Sequence, residues 1–404
     1  MRSTKSETTA AIIAEYNPFH NGHAYHIAQT RAMTGAKTIV VIMSGNFVQR
    51  GDCAICDKFS RTRMALAGGA DLVLELPLPF ACATAETFAA GGVGIADALG
   101  CVDYLSFGTE CGDVQQLTAA AKAVSDSTLK PLLDKFLAEG KPFAAARTEA
   151  VRETYGDDMA ALLCLPNNTL AIEYLRALDR LHSGIQPIGI LREGAAHDSA
   201  DTSGSFASAT AIRRMLSDGA RDNAAKFLPE SSWELLCAPI EQGSAPADIT
   251  RCERAILARL RGMTREQLAN LPDISEGLEN RIFESVRHAV SLDELYAAVK
   301  SKRYSHARVR RIVLSSFLGI RAVHSQRLPY LRILGMNARG RLLLSAAKPK
   351  LPLISCYKHI QGLPQEAQNV YRLECHADDL WALMPPSIQP CGADMKTKLI
   401  VTDE

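Results

Sequence analysis

The residues with the clearest capacity for chemistry form a short segment near the amino terminus, His20-Asn21-Gly22-His23. An apolar run precedes the segment and a helix-compatible stretch follows it, which predicts a strand-to-helix turn. A helix N-terminus offers free backbone N–H groups, and Gly22 lets an anion approach them closely. Two imidazoles at the same place would stabilise charge as a phosphoryl group is attacked. The alternative, two surface histidines in a turn, is the less favoured interpretation.

A second candidate for anion binding lies further along the chain, in Ser208-Ala-Thr210-Ala-Ile-Arg213-Arg214. Ser208 or Thr210 can cap the helix that follows. Arg213 or Arg214 can bind a phosphate through two parallel hydrogen bonds. Any capped helix resembles this pattern, so the segment gains weight only together with the upstream histidines.

Three further polar groups follow predicted strands or begin helices. The loop from Ser44 to Lys58 carries glycines, amides and charges that suit substrate contact, and a solvated loop explains it about as well. Asn167 and Asn168 either cap a helix or bind a base or ribose. Arg192 either holds a phosphate or forms a surface ion pair. His197 and Asp198 are too isolated for a metal site, and we predict none.

An α/β architecture is predicted to position these residues. Five apolar runs are predicted as strands: Ala10–Asn17, Lys37–Gly45, Asp71–Pro77, Tyr104–Glu110 and Gln186–Arg192. Helix-compatible stretches lie between them: His23–Thr34, Lys58–Gly68, Thr84–Leu99, Leu117–Ser125 and Leu170–Leu181. Near-continuous apolar strands that alternate with helices indicate a Rossmann-like parallel sheet covered on both faces. Ligands of such sheets bind beyond the carboxyl ends of the strands, where the polar groups above fall.

The second half of the chain has a different pattern. From about Ala247 it is mainly helical, and the Pro-, Gly- and Ser-containing stretch Pro239–Asp248 suits a boundary. We therefore predict an α/β domain of residues 1–240 followed by a mainly α-helical domain of residues 247–404.

A strongly basic stretch lies within this helical part. Residues Leu295–Gln365 contain fourteen Lys and Arg and no Asp or Glu, although the whole chain has a net charge of only +1. Such a surplus predicts a polyanionic partner, and interleaved tyrosines favour RNA. The apolar residues Val309, Ile312, Val313 and Phe317 would face the core. Arg308, Arg310 and Arg311 would then point outward.

Composition excludes several classes of protein. The chain of 404 residues is 47% hydrophobic and 22% charged, as in ordinary globular proteins. Its apolar runs are too short for a membrane span, and the amino terminus does not resemble a signal peptide, so a cytosolic location is predicted. Eleven scattered cysteines suit reduced thiols. The lone pair Cys53 and Cys56 is expected to be two small loop residues.

Six segments together resemble the tRNA(Met) cytidine acetate ligase family of the HxGH nucleotidylyltransferase superfamily. In order along nearly the whole chain, they are IIAEYNPFHNGHAYHI, SGNFVQRGD…DKFSR, FGTECGD, LPNNTLAIEYLRAL, SATAIRRML and SEGLENRI. The HNGH motif is general to the superfamily, whereas NPFHNG, GNFVQRG and EGLENRI point to the narrower family.

The resemblance implies an activity. ATP and acetate give acetyl-adenylate and pyrophosphate, and the N4 amine of the wobble cytidine of elongator tRNA(Met) then takes the acetyl group. The products are N4-acetylcytidine and AMP, without acetyl-CoA. Mg²⁺ would accompany the nucleotide, held largely by phosphates and water.

The resemblance and the interpretation of the residues together predict which residues form the site. Catalytic roles go to His20, His23 and Lys58. ATP contacts are assigned to Ile13, Ala14, Glu15, Tyr16, Asn17, Pro18, Phe19, His20, Asn21, Gly22, His23, Ala24, Tyr25, His26, Gly108, Asn167, Asn168, Arg192, Ser208 and Thr210. Contacts to tRNA are assigned to Lys300, Lys302, Arg303, Arg308, Arg310 and Arg311.

Three other functions fit the sequence less well than the ligase. A small-molecule nucleotidylyltransferase or pantothenate-synthetase-like ligase would use the same histidines without RNA, and the basic stretch disfavours it. A catalytically dead RNA-binding module is disfavoured by the intact His20, Gly22 and His23. A class I tRNA synthetase would need a KMSKS-like loop, which the sequence lacks.

Overall fold

The computed structural model describes residues 7–192, 206–275, 277–301 and 303–403. Its strands are β1 (Thr9–Ala14), β2 (Thr38–Ser44), β3 (Phe47–Val48), β4 (Asp52–Cys53), β5 (Leu72–Leu76), β6 (Tyr104–Thr109), β7 (Gln186–Leu191), β8 (Leu331–Met336), β9 (Leu353–Ile354) and β10 (Ile400–Val401). The candidate sites Lys302 and His197–Asp198 lie outside the described residues.

The helices fall into two groups along the chain. Those between and after the first strands are α1 (Asn21–Thr34), α2 (Lys58–Ala67), α3 (Leu78–Ala81), α4 (Ala85–Leu99), α5 (Val114–Ser125), α6 (Lys130–Ala138), α7 (Phe143–Tyr155), α8 (Asp157–Leu162), α9 (Pro166–Arg180), α10 (Ala209–Ser217), α11 (Arg221–Ala225) and α12 (Glu230–Glu241). The later ones are α13 (Glu253–Arg261), α14 (Arg265–Ala269), α15 (Leu278–His288), α16 (Leu292–Val299), α17 (His306–Leu318), α18 (Ala338–Ala346), α19 (Gln365–Trp381) and α20 (Ala393–Lys396).

The main sheet has the strand order β10-β8-β5-β2-β1-β6-β7, and β9 pairs with β8. The five adjacent strands β5, β2, β1, β6 and β7 run parallel, whereas β8 runs antiparallel to β5. All five predicted strands and the five predicted helices are present, and the predicted Rossmann-like parallel sheet is confirmed. The carboxyl ends of β1, β2, β6 and β7 meet at one edge of the sheet.

Strand β2 shows why the sheet is stable. All seven of its residues are buried. Val40 and Ile42 pack into the core on one face, and Ile39, Val41 and Met43 pack into the core on the other. This alternation follows from the two-residue period of a strand, and burial on both faces explains the continuous apolar run.

The later part of the chain contributes to the same sheet. Strands β8, β9 and β10 extend it beyond β5, so residues 331–401 return to the α/β layer after the helical stretch. These strands were not predicted. They place residues of the predicted helical domain, 247–404, in the sheet of the α/β part, and the division into two domains stays a prediction. Helices α13 to α17 pack with α19 around Ile256, Ile312 and Trp381, and Phe47 and Leu78 of the first half join the same core.

Helix α17 has the predicted amphipathic arrangement. Val309, Ile312 and Val313 are fully buried and Phe317 is 9% exposed, so the predicted core face is confirmed. Ser305 caps the helix by accepting the backbone N–H of Arg308. No helix of the described ranges is long and apolar enough to cross a membrane.

Candidate active site

A cavity of about 670 Å³ opens where β1, β6 and β7 end. Fifteen of the predicted ATP-site residues line it: Ile13, Ala14, Glu15, Tyr16, Asn17, His20, Gly22, His23, Tyr25, His26, Gly108, Asn167, Arg192, Ser208 and Thr210. The other five predicted residues do not line the cavity: Pro18, Phe19, Asn21, Ala24 and Asn168. The structure thus brings segments from Ile13 to Thr210 into one space.

His20 and His23 form a reciprocal cap at the start of α1. The Nδ1 of His20 accepts the backbone N–H of Gly22 at 3.1 Å, and the Nδ1 of His23 accepts that of His20 at 3.2 Å. A Cβ on residue 22 would lie 3.0 Å from the His20 ring, which explains the glycine. Because each Nδ1 is an acceptor, each neutral ring carries its proton on Nε2. Both rings therefore hold a fixed N–H donor for a ligand.

Burial keeps these imidazoles neutral. Burial, with Arg192 and Arg213 nearby, lowers the pKa of His20 to about 3. Burial and the neighbouring His20 hold the pKa of His23 well below its usual range. Burial and Arg192 also lower the pKa of His26 to about 4. At neutral pH the positive charge at this site comes from arginines and the helix end, and the histidines act as neutral donors.

The turn before α1 is anchored from two sides. The buried Arg61 donates from Nη1 to the carbonyls of Glu15, at 2.7 Å, and Ser44, at 3.0 Å, and so ties β1 to β2. Asn17 accepts the backbone N–H of Ile55 at 2.8 Å. The backbone carbonyl of Asn17 accepts a hydrogen bond of 2.9 Å from Arg213 Nη1. Arg61 was predicted with the loop as a possible substrate contact, whereas the structure buries it against backbone carbonyls.

The second anion site has the predicted form. Ser208 caps α10 by accepting the backbone N–H of Ala211 at 3.1 Å. Arg213 lines the cavity and donates from Nη2 to Thr210 at 3.1 Å. The N-terminus of α10 thus faces the same cavity as the N-terminus of α1, and both helix ends are candidate positions for phosphates.

A carboxylate cradle holds the start of α9. Glu110 accepts the backbone N–H groups of Asn167, at 3.0 Å, and Asn168, at 2.7 Å. The fully buried Asn168 returns a bond by accepting the N–H of Glu110 at 2.9 Å. Asn168 is therefore a structural residue, whereas Asn167 reaches the cavity. Arg192 lies across from it, with Nη1 3.5 Å from Asn167 Oδ1.

Lys58 lies outside the cavity, which argues against the predicted catalytic contact. Its fully buried ammonium is 2.8 Å from Glu75, 2.8 Å from Asp378 and 2.7 Å from Asp394. Burial opposes the charge, but these carboxylates outweigh it and hold the pKa of Lys58 well above its usual range. The ammonium is enclosed by its partners, so the geometry gives Lys58 a structural role.

The three arginines of α17 do not present free charges, which corrects the prediction that they point outward. Arg310 pairs with Asp52 of the Ser44–Lys58 loop at 2.8 Å, with a side chain 27% exposed. Arg311 pairs with Asp273 at 2.6 Å with a side chain 11% exposed, and Arg308 lies 3.7 Å from the same carboxylate. The acid-free stretch receives its counter-charges from other parts of the chain.

The cavity also contains residues outside the predicted ATP set. Gln49 and Arg50 enter from the Ser44–Lys58 loop, which was predicted to contact substrate, and Arg311, a predicted tRNA contact, enters from α17. Ser305 and Ala307, at the start of α17, were not predicted. Gly51 has a φ of +75°, and a Cβ there would lie 2.5 Å from the Arg311 nitrogen, so the loop packs directly on α17.

The described part of the site contains no cluster of metal-ligating side chains. Within the described ranges, no group of three His, Cys, Asp or Glu side chains is placed to hold an ion. All eleven cysteines are free thiols, and Cys53 and Cys56 are buried.

The parallel sheet, the histidine-capped helix and the paired anion positions define a nucleotidyl transferase. A family model described as HIGH Nucleotidyl Transferase matches residues 8–395.

Comparison with known proteins identifies the family within the nucleotidyl transferases. The tRNA(Met) cytidine acetate ligase of Thermoanaerobacter sp. (strain X514) is 36% identical over 96% of this chain and 98% of its own length. The apo structure of Thermotoga maritima TmcAL superposes with a TM-score of 0.94 at 31% identity, covering 98% of this chain and 100% of that one. The same protein bound with alpha-thio ATP gives a TM-score of 0.91 at the same identity and coverage. The chain belongs to the tRNA(Met) cytidine acetate ligase family of HIGH nucleotidyl transferases.

Proposed function

We propose that this protein activates acetate with ATP and transfers the acetyl group to N4 of the wobble cytidine of elongator tRNA(Met). The observation that carries the proposal is the pair of neutral histidines, which share a cavity with the capped N-terminus of α10. The names of the relatives supply the tRNA and the acetate. The ATP analogue bound by the Thermotoga maritima protein supports the nucleotide.

The first step is attack by an acetate oxygen on the α-phosphorus of ATP. The bond from that phosphorus to the bridging oxygen breaks, and pyrophosphate leaves with the electron pair. His20 and His23 donate from Nε2 to the oxygens that gain charge, and Arg213 with the α10 N-terminus holds the leaving phosphates. Fixed neutral donors suit this task because they need no reorganisation as charge develops.

We propose that ATP lies with its base and ribose towards Gly108, Asn167 and Arg192. The cradle formed by Glu110 fixes Asn167 against this part of the cavity. Mg²⁺ is proposed to arrive with the triphosphate and to be held by phosphate oxygens and water, in keeping with the described side chains. No step is assigned to acetyl-CoA.

The basic helix is proposed to receive the anticodon stem next to this cavity. Arg311 belongs to both regions, since it lines the cavity and is part of α17. The predicted tRNA contacts Lys300, Arg303, Arg308 and Arg310 lie on α17 or just before it. This contiguity supports a path by which an anticodon base could reach the nucleotide.

Isotope exchange tests the first half of the proposal. The protein is incubated with ATP, labelled pyrophosphate and either acetate or no acid, and label entering ATP is counted. We expect exchange that depends on acetate and needs no tRNA. Exchange that is independent of acetate, or supported only by another acid, would contradict acetate activation.

A further inference from the structure

The cavity has an end that the proposed ATP contacts leave unassigned. Its walls there are Gln49 and Arg50 of the Ser44–Lys58 loop and Ser305, Ala307 and Arg311 of α17. These residues belong to the elements nearest the proposed tRNA surface. The same cavity therefore runs from the histidines to the basic helix without a separating wall.

Glu15 lies where this end meets the histidine turn. One of its carboxylate oxygens, Oε1, accepts the backbone N–H of Gln49 at 3.0 Å, which fixes the side chain against the loop. The amide of Gln49 donates to the carbonyl of Ala83 at 3.1 Å, so the loop is pinned at the same corner. Glu15 lines the cavity, and Oε2 is the carboxylate oxygen left for a ligand.

Arg311 lines the same cavity, and two of its three guanidinium nitrogens bond Asp273. Gln49 donates its backbone N–H to Glu15, and a Cβ on Gly51, two residues later, would lie 2.5 Å from the Arg311 nitrogen, so Glu15 and Arg311 flank the same short loop. Arg311 donates from Nε, at 3.1 Å, and from Nη2, at 2.6 Å, to Asp273. Within the described ranges Nη1 has no hydrogen-bond partner, so it can bind a ligand in the cavity. The corner combines an anionic acceptor with a fixed cationic donor.

This pair matches the pairing edge of cytosine. The N4 amine of that base donates, whereas N3 and O2 accept, and a carboxylate is a natural partner of N4. Uracil places a carbonyl oxygen where cytosine has the amine, so two acceptors would face each other at Glu15. An arginine donates to the other end of either base, which makes the carboxylate the discriminating group.

We propose that this corner is the acceptor-base subsite and that Glu15 takes the proton from the attacking N4 amine. The inference rests on the proposed function and adds to it the group that completes acetyl transfer. Gln49 positions the carboxylate, and Arg311 holds the opposite end of the base.

The N4 lone pair attacks the acetyl carbonyl carbon of acetyl-adenylate, and one N4 proton passes to Glu15 Oε2. The bond between the acetyl carbon and the phosphate oxygen breaks, and AMP leaves with the electron pair. Glu15 then releases the proton to water, so the products are N4-acetylcytidine, AMP and one proton.

Separate readouts for the two half-reactions test the inference. Hydroxylamine traps acetyl-adenylate as acetohydroxamate without tRNA, and single-turnover transfer to elongator tRNA(Met) reports the second step. Glu15→Gln keeps an oxygen to accept the Gln49 N–H but is not a base. We expect the ratio of transfer to trapping to fall roughly 100-fold. An unchanged ratio would overturn the proposal.

Two further variants control this experiment. Glu86→Gln removes a carboxylate from the exposed first turn of α4 and is expected to keep the wild-type ratio. Glu15→Asp keeps a carboxylate and is expected to recover at least about tenfold of the loss. Equal defects in Glu15→Asp and Glu15→Gln would contradict proton transfer to this carboxylate. Absence of hydroxamate in the wild-type protein would instead refute acetate activation.

Discussion

The imidazole rings of His20 and His23 stack with their centroids 3.6 Å apart, and each accepts a backbone N–H of the same turn through Nδ1. The arrangement fixes the tautomer of both rings and directs their protons to Nε2. A pair of charged rings could not stack so closely, and burial keeps both neutral. The histidines are therefore preorganised donors.

Replacing His23 tests that role. His23→Ala removes one Nε2–H donor, and we expect acetate-dependent pyrophosphate exchange to fall by roughly 10²–10³-fold, the usual effect of losing one oxyanion donor. Far-ultraviolet circular dichroism should remain that of the wild type. His376→Ala, on an exposed position of α19, is the control and should keep its activity. Wild-type exchange by His23→Ala would contradict the phosphate-site assignment.

The depressed pKa of His20 predicts a pH-dependent stability. The folded state keeps this ring neutral down to a pKa of about 3, whereas the unfolded state protonates it below 6.5. Since the unfolded state binds the extra proton, stability is retained above pH 6.5 and lost as the pH falls. At pH 5 this group alone should cost about 2 kcal/mol relative to pH 7.

His20→Asn isolates this effect because asparagine also caps a helix and does not titrate. The free energy of unfolding in urea is measured at pH 7 and pH 5 for both proteins. The variant should lose about 2 kcal/mol less than the wild type over this interval. The same loss in both proteins would show that His20 is not buried as a neutral ring.

The buried charges around Lys58 predict a stability defect. Lys58→Met leaves Asp378 without a cation and leaves Glu75 and Asp394 with Arg332 alone, and we expect a loss of about 3–5 kcal/mol in the free energy of unfolding. Lys350→Met breaks the exposed pair with Asp97 and should cost under about 1 kcal/mol. A Lys58→Met protein of wild-type stability that lacks pyrophosphate exchange would restore Lys58 to a catalytic role.

The ion pair between Asp52 and Arg310 predicts opposite effects on tRNA binding. Arg310→Gln leaves the Asp52 carboxylate unpaired beside the proposed tRNA surface, so it should weaken binding, most of all at low salt. Asp52→Asn frees Arg310 for a phosphate and should strengthen binding at low salt. Arg254→Gln, exposed on α13, is the matched control. Equal affinities of all these variants over a salt titration would exclude the α17 face from the tRNA surface.

Local patterns in the sequence predicted the central part of the fold. Each of β1, β2, β5, β6 and β7 is a short apolar run between helix-compatible stretches, so its identity is encoded locally. The histidine turn was found in the same way, from a motif in which spacing and helix start coincide. Side chains of α17 followed the helical period, which placed Val309 and Ile312 in the core.

Long-range partners explain what local patterns missed. Strand β8 pairs with β5 more than 250 residues earlier, and nothing near Leu331 indicates that neighbour. Lys58 looked like a loop cation because Asp378 and Asp394 are more than 300 positions away. The basic stretch looked unopposed because its carboxylates, among them Asp52, lie outside it. Charge pairing of this kind depends on tertiary structure.

Transfer of labelled acetate tests the central claim most directly. The protein is incubated with ATP, radiolabelled acetate and elongator tRNA(Met), with a parallel reaction that contains labelled acetyl-CoA instead, and the tRNA is digested to nucleosides. We predict label in N4-acetylcytidine at the wobble position, only with acetate and only with ATP. Label that arrives from acetyl-CoA, or tRNA that stays unlabelled while acetate is adenylated, would contradict the account.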